Sequence, residues 1–477
     1  MAKKKDLGHS AHSKKADNVI GLEGVMPRPI KITMLGAGSG FTPHLFNDIM
    51  SIPGMRKLEF CLVDIDKKRL DVMYKLTKRM AHDFGLEDKV EIKATTNRID
   101  VLSDSDYIIC CVEVSGTSCV RFDNDIPLKY GIDQCIGDTI GPGGLFKGLR
   151  TIPVWLDILE DCEELCPNAV VLNYTNPMNM MCLAAGRTST MQVVGLCHSV
   201  QGTSHWLSEL AKVPYEEMEW ECAGINHLAW FTKLEHKGKD LYPRLLKQWE
   251  KETRERKVTT HTEDAWDLVR KDMAVHFGAF ITESSGHLSE YVPYYRKRKE
   301  LLKHYCVEGY GGGSSFYANN WPTWRKNHDA ERLRELKQKE PLVQPQRTWE
   351  YASWIIEAIE KNKPFKIHGN VMNDYYGGRL ISNLPEDGCV EVPCLIDGNG
   401  VQPTCYGDLP PQMAAICAAD MRMFDLAADA AIYKSVELAT YALMLDPLTS
   451  AVCSPAEIKK MTLELFKAEK KFLQGYK

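Results

Sequence analysis

Ile30-Lys31-Ile32-Thr33-Met34-Leu35-Gly36-Ala37-Gly38-Ser39-Gly40 is the stretch whose reading decides the fold. A short apolar, β-leaning run meets a glycine cluster, and a helical pattern follows over 43–51. Glycines at such a junction let the backbone approach a pyrophosphate, and the helix N-terminus behind them favours negative charge. The usual fingerprint wants a glycine three residues after Gly38. Phe41 stands there, with Gly40 beside it, so the motif is a variant. A second strand is predicted over 58–63, ending at Asp64, 28 residues beyond Gly36. An acid at that place accepts hydrogen bonds from ribose hydroxyls, and it favours NAD over NADP because a 2′-phosphate would meet like charge. Gly36, Gly38, Ser39 and Asp64 are therefore the candidate cofactor-binding residues. A plain strand-to-helix turn with an exposed Asp is the competing reading.

Working outward, a helix is predicted over 67–84 and strands over 90–94, 107–112, 169–172 and 192–196. Strands alternating with helices at this spacing predict a parallel sheet with right-handed crossovers. Past about residue 200 the pattern changes to charged helical stretches (215–221, 241–256, 330–339 and 348–361) with short β-like runs such as 389–395. Two helical regions, 411–445 and 455–474, end the chain. The expected class is α/β. A Rossmann-like doubly wound sheet spans 29–200, and a mixed α+β catalytic and oligomerisation domain spans 201–477. Residues 1–28 read as a disordered basic tail, with Lys3, Lys4, Lys5, Lys14 and Lys15 but no apolar segment of the kind a secretory signal needs.

Composition excludes several classes. The 477 residues carry 59 Lys+Arg against 64 Asp+Glu, a formal net charge of −5, too near neutral for a dedicated nucleic-acid binder. No run approaches the roughly 20 apolar residues of a membrane span. Sixteen cysteines occur without CxxC pairs, which predicts reduced, mostly buried thiols and a cytoplasmic setting.

Four further segments carry possible chemistry. Asp138-Thr139-Ile140-Gly141-Pro142-Gly143-Gly144 reads as a tight loop before a helix near Arg150, able to bring backbone donors to a ligand or to serve only as a turn. Asn173-Tyr174-Thr175-Asn176-Pro177-Met178-Asn179 follows a strand, where ligands sit in open α/β sheets, though Asn and Pro are also ordinary turn residues. Cys197-His198-Ser199-Val200 also follows a strand and is paired with Gly224-Ile225-Asn226-His227. A thiolate and an imidazole suit a divalent transition metal, and as packing residues they need none. The aromatic and basic segment from His287 through Glu290, Tyr291, Tyr294, Tyr295 and Arg296 to Lys297 could line a sugar site or a core edge.

In these pieces, taken in order, the chain resembles glycoside hydrolase family 4, the NAD- and metal-dependent glycosidases. The resemblance runs from about Lys31 to Gly400-Val401-Gln402-Pro403 and includes Ile126-Pro127-Leu128-Lys129-Tyr130-Gly131. It implies Cys197 and His227 as ligands of Mn²⁺ or another divalent metal. It implies Asn176 as a sugar contact, and His198 as proton donor or orienting group. The family's base is a tyrosine, matched best by Tyr291, with Tyr294 and Tyr295 close by. Cys-His-Ser-Val followed by Gln201-Gly202-Thr203-Ser204 resembles the α-galactosidase branch. Glu113, where members acting on 6-phospho-sugars carry a nearby Arg, disfavours phosphorylated substrates.

The implied route oxidises the sugar at C3, removes the C2 proton, expels the aglycone, adds water and returns the hydride, which is an exception to two-carboxylate hydrolysis. A small carbohydrate is the implied partner, with no nucleic acid or membrane. The chain is expected to form a homo-oligomer, a dimer or tetramer, through its C-terminal helices. Rival readings are an α-glucosidase or α-galacturonidase of the same family, a lactate/malate-type dehydrogenase and a non-enzymatic NAD-sensing module. One assay separates the classes. With NAD⁺, Mn²⁺ and p-nitrophenyl α-galactoside, the glycosidase releases p-nitrophenol without net NADH. A dehydrogenase accumulates NADH, and a sensor releases nothing.

Overall fold

The first five parallel strands form where the chain offers apolar runs. These are β1 (Ile30–Leu35), β2 (Leu58–Val63), β3 (Val90–Thr95), β4 (Tyr107–Cys110) and β5 (Val170–Asn173). β4 and β5 are buried throughout, and β1 and β2 at all but one residue each. Strands covered by helices on both faces need that continuous apolarity. β3, at the sheet's edge, alternates more and carries polar residues outward. With β6 (Gln192–Gly195) they make a parallel sheet in the order 3-2-1-4-5-6. This is the doubly wound dinucleotide-binding arrangement. The computed structural model describes residues 21–256, 267–343, 346–375 and 377–477.

The sheet does not stop at β6. Beyond it come β7 (Met218–Ile225), β8 (Leu228–His236), β9 (Lys239–Asp240), β10 (Phe280–Ile281) and β11 (Phe365–Met372). A small separate ribbon, β12 (Asp374–Tyr375) with β13 (Gly378–Arg379), precedes β14 (Cys389–Asp397) and β15 (Gly400–Pro403). β11 runs antiparallel to β6, and β14, β7, β8 and β10 follow in antiparallel succession, giving one sheet of thirteen strands. The helix Pro411–Ile432 folds back from the far half onto the helices Gly141–Leu165 and Met178–Thr188. Among the described residues no helix is long and apolar enough to cross a membrane. All sixteen cysteines are free, and Cys405 alone is exposed.

Several sequence expectations need correction. Residues 21–28 belong to the fold, whereas residues 1–20 lie outside the described region. Leu22 N donates to Glu357 Oε1 at 2.9 Å, Met26 is buried, and Arg28 pairs with Asp106 and Glu360. The stretch 215–221 is one turn of 3-10 helix (Tyr215–Glu217) leading into β7. Met218-Glu219-Trp220-Glu221-Cys222 in fact alternates in and out, which is a strand's period. The helix expected over 330–339 is the helix Phe316–Glu335, which contains Pro322 and lacks an apolar stripe. It is held across the helix Lys67–Asp83 by an Arg69–Asp329 ion pair at 3.0 Å. The region 411–445 breaks at Lys434, whose φ of 51° ends the first helix.

The glycine-rich segment before Arg150 is also not a loop, because the helix Gly141–Leu165 starts within it. Pro142 fits the first turn, where its missing N–H has no partner to lose. Gly143 and Gly144 are there for closeness. A Cβ on Gly143 would lie 2.2 Å from Gly137 O, and one on Gly144 2.5 Å from the Thr139 carbonyl carbon. Alanine normally gains about 1 kcal/mol over glycine inside a helix. Here the added methyl meets backbone, which cannot swing away. Gly144→Ala should therefore destabilise the protein by about 1–3 kcal/mol, read as a lowered thermal midpoint. An unchanged or raised midpoint would contradict this packing.

Candidate active site

The cofactor turn is tied together by its own backbone. Gly36 N and Ala37 N both donate to Val63 O at 2.9 Å, locking the end of β1 to the end of β2. Asp64 then uses both oxygens on amides, accepting from Gly38 N at 2.7 Å and Asp66 N at 2.8 Å. A Cβ on Gly38 would stand 2.7 Å from Asp64 Oδ2, so the glycine lets the acid reach the turn. Ser39 N donates to Gly36 O, and Thr42 opens the helix Thr42–Met50 by donating to Ala37 O at 2.7 Å. The four candidates Gly36, Gly38, Ser39 and Asp64 thus meet in one turn at the carboxyl edge of the sheet. Its shape fits a dinucleotide: a compact glycine turn, a helix N-terminus and an acid at the end of β2. Arg69 and Arg325 stand close enough to the turn to influence one another, with Asp64 and Asp329 as nearby charges. Sequence reading did not single out this pair of cations.

The thiol and imidazole come from two different strand ends. Cys197 lies two residues beyond β6. His227 is the second residue of the two-residue turn joining β7 to β8, where Ile225 pairs with Leu228. Its φ is 64°. Asn226, before it, is not in the left-handed region, so only the second turn position is, and that is the place where such a turn favours glycine. The strand ends bring Cys197 Sγ to 3.4 Å from His227 Nε2.

That separation suits a shared ion. With zinc's bond lengths, about 2.3 Å to sulfur and about 2.0–2.1 Å to nitrogen, the two atoms stand about 3.1 Å apart at a right angle and about 3.6 Å at a tetrahedral one. Burial, then the neighbouring His287, holds the His227 imidazole down to about 3, so it is neutral and free to ligate. Burial first, then the Glu391 and Glu283 charges, pushes the Cys197 thiol well up. It gives up its proton to a cation and to little else.

Around this pair runs a chain of alternating charge. Glu283, at φ 70°, follows β10, and His287 stands on the short helix Ser285–Tyr291. Ligand atoms of His227, Glu283 and His287 lie within 4.8 Å of one another. His287 Nδ1 is 3.4 Å from Glu283 Oε1, and its Nε2 is 3.7 Å from Asp138 Oδ1. Burial pulls the His287 imidazole down, but Glu283 and Asp138 outweigh it and raise it to about 9. Asp138 is pushed up by burial, yet Lys147 and His287 hold it well below the usual carboxylate range. Lys147 Nζ sits 3.5 Å from Asp138 and 3.0 Å from Glu113. Glu113, Asp138, Lys147, Tyr317 and Trp321 line one cavity, which Asp138 links to His287.

The remaining candidates separate. Tyr291 is 1% exposed, its ring centroid is 6.2 Å from that of His227, and its hydroxyl lies beside the Thr139 side chain. Burial raises its phenol well above the ordinary value. Tyr295 turns away and donates to Asp272 Oδ2 at 2.8 Å, and Tyr294 packs on Phe277 at the surface. His198 Nδ1 lies 3.5 Å from Glu350 Oε1, and the carboxylate raises the imidazole against the pull of burial. Asn176 is half-buried three residues beyond β5, which pairs directly with β6 through Asn173 opposite Gly195, so it follows the strand next to the one that leads to Cys197. Glu283, Lys147 and Glu350 carried no role in the sequence reading. Each sits alone among ordinary residues, and only the fold assembles them.

A family model described as Family 4 glycosyl hydrolase matches residues 31–213, and its C-terminal domain model matches 222–449. An alpha-galactosidase of Rhizobium meliloti is 36% identical, the match covering 94% of this chain and 89% of the relative. An alpha-galactosidase of Bacillus subtilis is also 36% identical, covering 94% and 100%. Among solved structures, the Bacillus subtilis lplD protein superposes with a TM-score of 0.80 at 25% identity, covering 92% of this chain and 99% of that one. A 6-phospho-alpha-glucosidase from gut microorganisms, solved in complex with NAD and Mn²⁺, superposes with a TM-score of 0.75 at 22% identity, covering 93% and 99%.

Ablation checks the thiol–imidazole pair. Cys197→Ala and His227→Ala should each weaken Mn²⁺ binding by at least about tenfold, in line with losses seen even for residues outside the ligand set. The readout is the electron paramagnetic resonance signal of free Mn²⁺ during titration. Unchanged binding in either variant would remove that residue from the site.

Proposed function

The chain belongs to glycoside hydrolase family 4, and from that premise we propose that it is an α-galactosidase acting on unphosphorylated α-galactosides with NAD and a divalent metal, Mn²⁺ foremost. The observation that carries the reading is Cys197 Sγ facing His227 Nε2 at 3.4 Å, on the sheet edge that also bears the glycine turn. Two α-galactosidases 36% identical over 94% of the chain support the choice of sugar. The cavity supports the absence of phosphate. Lys147 is already matched by Glu113 and Asp138, and Arg150, which also lines it, by Asp123 and Glu469. A phosphate needs an uncommitted cation to bind tightly.

When bound, NAD⁺ supplies a hydride acceptor for C3 and the metal a Lewis acid for the C2 and C3 oxygens. Cys197 and His227 would hold the ion, and Gly36, Gly38, Ser39 and Asp64 would hold the dinucleotide. Tyr291 is the group assigned to take the proton from C2. Burial, and after it the nearby Asp420, Asp138 and Glu290 charges, work against that task, so its oxygen needs positive charge close by, which a bound metal would supply. His198, held by Glu350, is assigned to give a proton to the departing glycosidic oxygen. Asn176 is assigned to a sugar hydroxyl. The cavity carboxylates Glu113 and Asp138 are acceptors for further hydroxyls and repel an anionic sugar.

Hydrolysis in D₂O should leave deuterium at C2 of the released galactose, read by NMR or mass spectrometry. Product without label would reject proton removal at C2. In an aryl-glycoside panel with NAD⁺, Mn²⁺ and a thiol reductant, the α-galactoside should be cleaved fastest and 6-phospho-glycosides left intact. Preference for the α-glucoside or α-galacturonide would reassign the sugar. Tyr291→Phe should lower kcat by about 10²–10⁴ with little change in Mn²⁺ affinity.

A further inference from the structure

Two ladders are thin, one where the parallel and antiparallel halves of the sheet join and one two strands further on. β11 pairs with β6 through Asn370 and Gly195, and β14 pairs with β7 through Glu391 and Gly224. Each of these glycines stands just before a ligand-bearing loop. Cys197 lies two residues after Gly195, and His227 three residues after Gly224. Their partners across the ladder are polar side chains in the middle of the sheet. Asn370 and Glu391 are both 0% exposed.

Those side chains link the two loops. Asn370 Nδ2 donates to Gly195 O at 3.2 Å and to Glu391 Oε1 at 3.2 Å. The Asn226 amide, next to His227, adjoins the same carboxyl group. The closeness depends on glycine, since a Cβ on Gly195 would lie 2.9 Å from Asn370 Cβ. After burial, Glu391 is the largest influence on the Cys197 thiol, so its carboxyl group is near that thiol as well. Asn370 Oδ1 is buried without a hydrogen bond among the described residues. A fully buried carboxyl group is costly to keep, and leucine or valine would fill a sheet interior at lower cost. Neither residue can touch the solvent, and no packing need calls for a carboxyl there.

We propose that Glu391 and Asn370 are positioning residues that pin the loops carrying Cys197 and His227 to one seam of the sheet, and so set the spacing of the metal-binding pair. The inference rests on reading Cys197 and His227 as that pair. Residues beyond the ligands that orient them typically contribute about 10–100-fold to metal affinity.

The test uses the full chain and Mn²⁺ as probe. Glu391→Ala and Asn370→Ala should each weaken Mn²⁺ binding by at least about tenfold. Glu391→Gln, which keeps an acceptor oxygen for Asn370, should restore most of the affinity. Val392→Ala is the control, since Val392 is equally buried but points to the opposite sheet face. It should lower thermal stability and leave Mn²⁺ binding alone. In metal-free protein, Glu391→Ala should speed alkylation of Cys197 by iodoacetamide, mapped by mass spectrometry, more than Val392→Ala does.

Normal Mn²⁺ affinity in both Glu391→Ala and Asn370→Ala overturns the proposal. So does a loss in Val392→Ala as large as in Glu391→Ala, which would mark a purely structural role. If the unmodified chain binds no Mn²⁺, the functional reading falls, and the alkylation rates alone decide this proposal. Equal rates in the two variants would then overturn it.

Discussion

Everything in the site depends on bringing a sulfur and a ring nitrogen, thirty positions apart in the chain, to 3.4 Å. Neither loop achieves this by itself. β6 delivers Cys197 at the carboxyl edge of the parallel sheet, and the β7–β8 hairpin delivers His227 from the antiparallel half. The two edges coincide only because β11 and β14 fill the gap between them. The sheet is therefore the instrument that measures the distance, and the loops are what it holds. The charge chain from Glu113 through Lys147, Asp138 and His287 to Glu283 then sets the field around the pair.

Much of the nucleotide half could be read from the sequence, for a physical reason. Parallel strands buried on both faces must be continuously apolar, and Leu58–Val63 announces itself in six letters. Asp64 and the glycine turn are local in the chain, so their spacing carries their meaning. Local signals misled where tertiary contact overrode them. Gly143 and Gly144 resemble loop residues, yet they begin a 25-residue helix because backbone passes within van der Waals reach. The helix Phe316–Glu335 has no apolar stripe to find, since it is held by ring contacts of Phe316 and Trp324 with Tyr310 and by an ion pair to another helix.

The same distinction holds for the site. Cys197 and His227 could be proposed because they stand in short motifs whose order resembles a known family. Glu283, Lys147, Glu350, Asn370 and Glu391 have no such frame. A buried glutamate in a strand looks, in sequence, like an exposed one. What separates Glu391 from Glu219 is the strand across the ladder, and that strand is far away in the chain. The choice among Tyr291, Tyr294 and Tyr295 is similar, because adjacent residues of one type differ only in the direction their backbone turns them.

The left-handed backbone at His227 has a further consequence. A hairpin corner of that shape is most relaxed with a bare hydrogen in place of a ring. An imidazole stands there against the grain of the local fold, and the ligand role proposed for it would reward the strain. A descendant freed from catalysis would settle into the Asn-Gly corner that the turn itself favours. That single exchange would mark a retired enzyme among otherwise similar sequences.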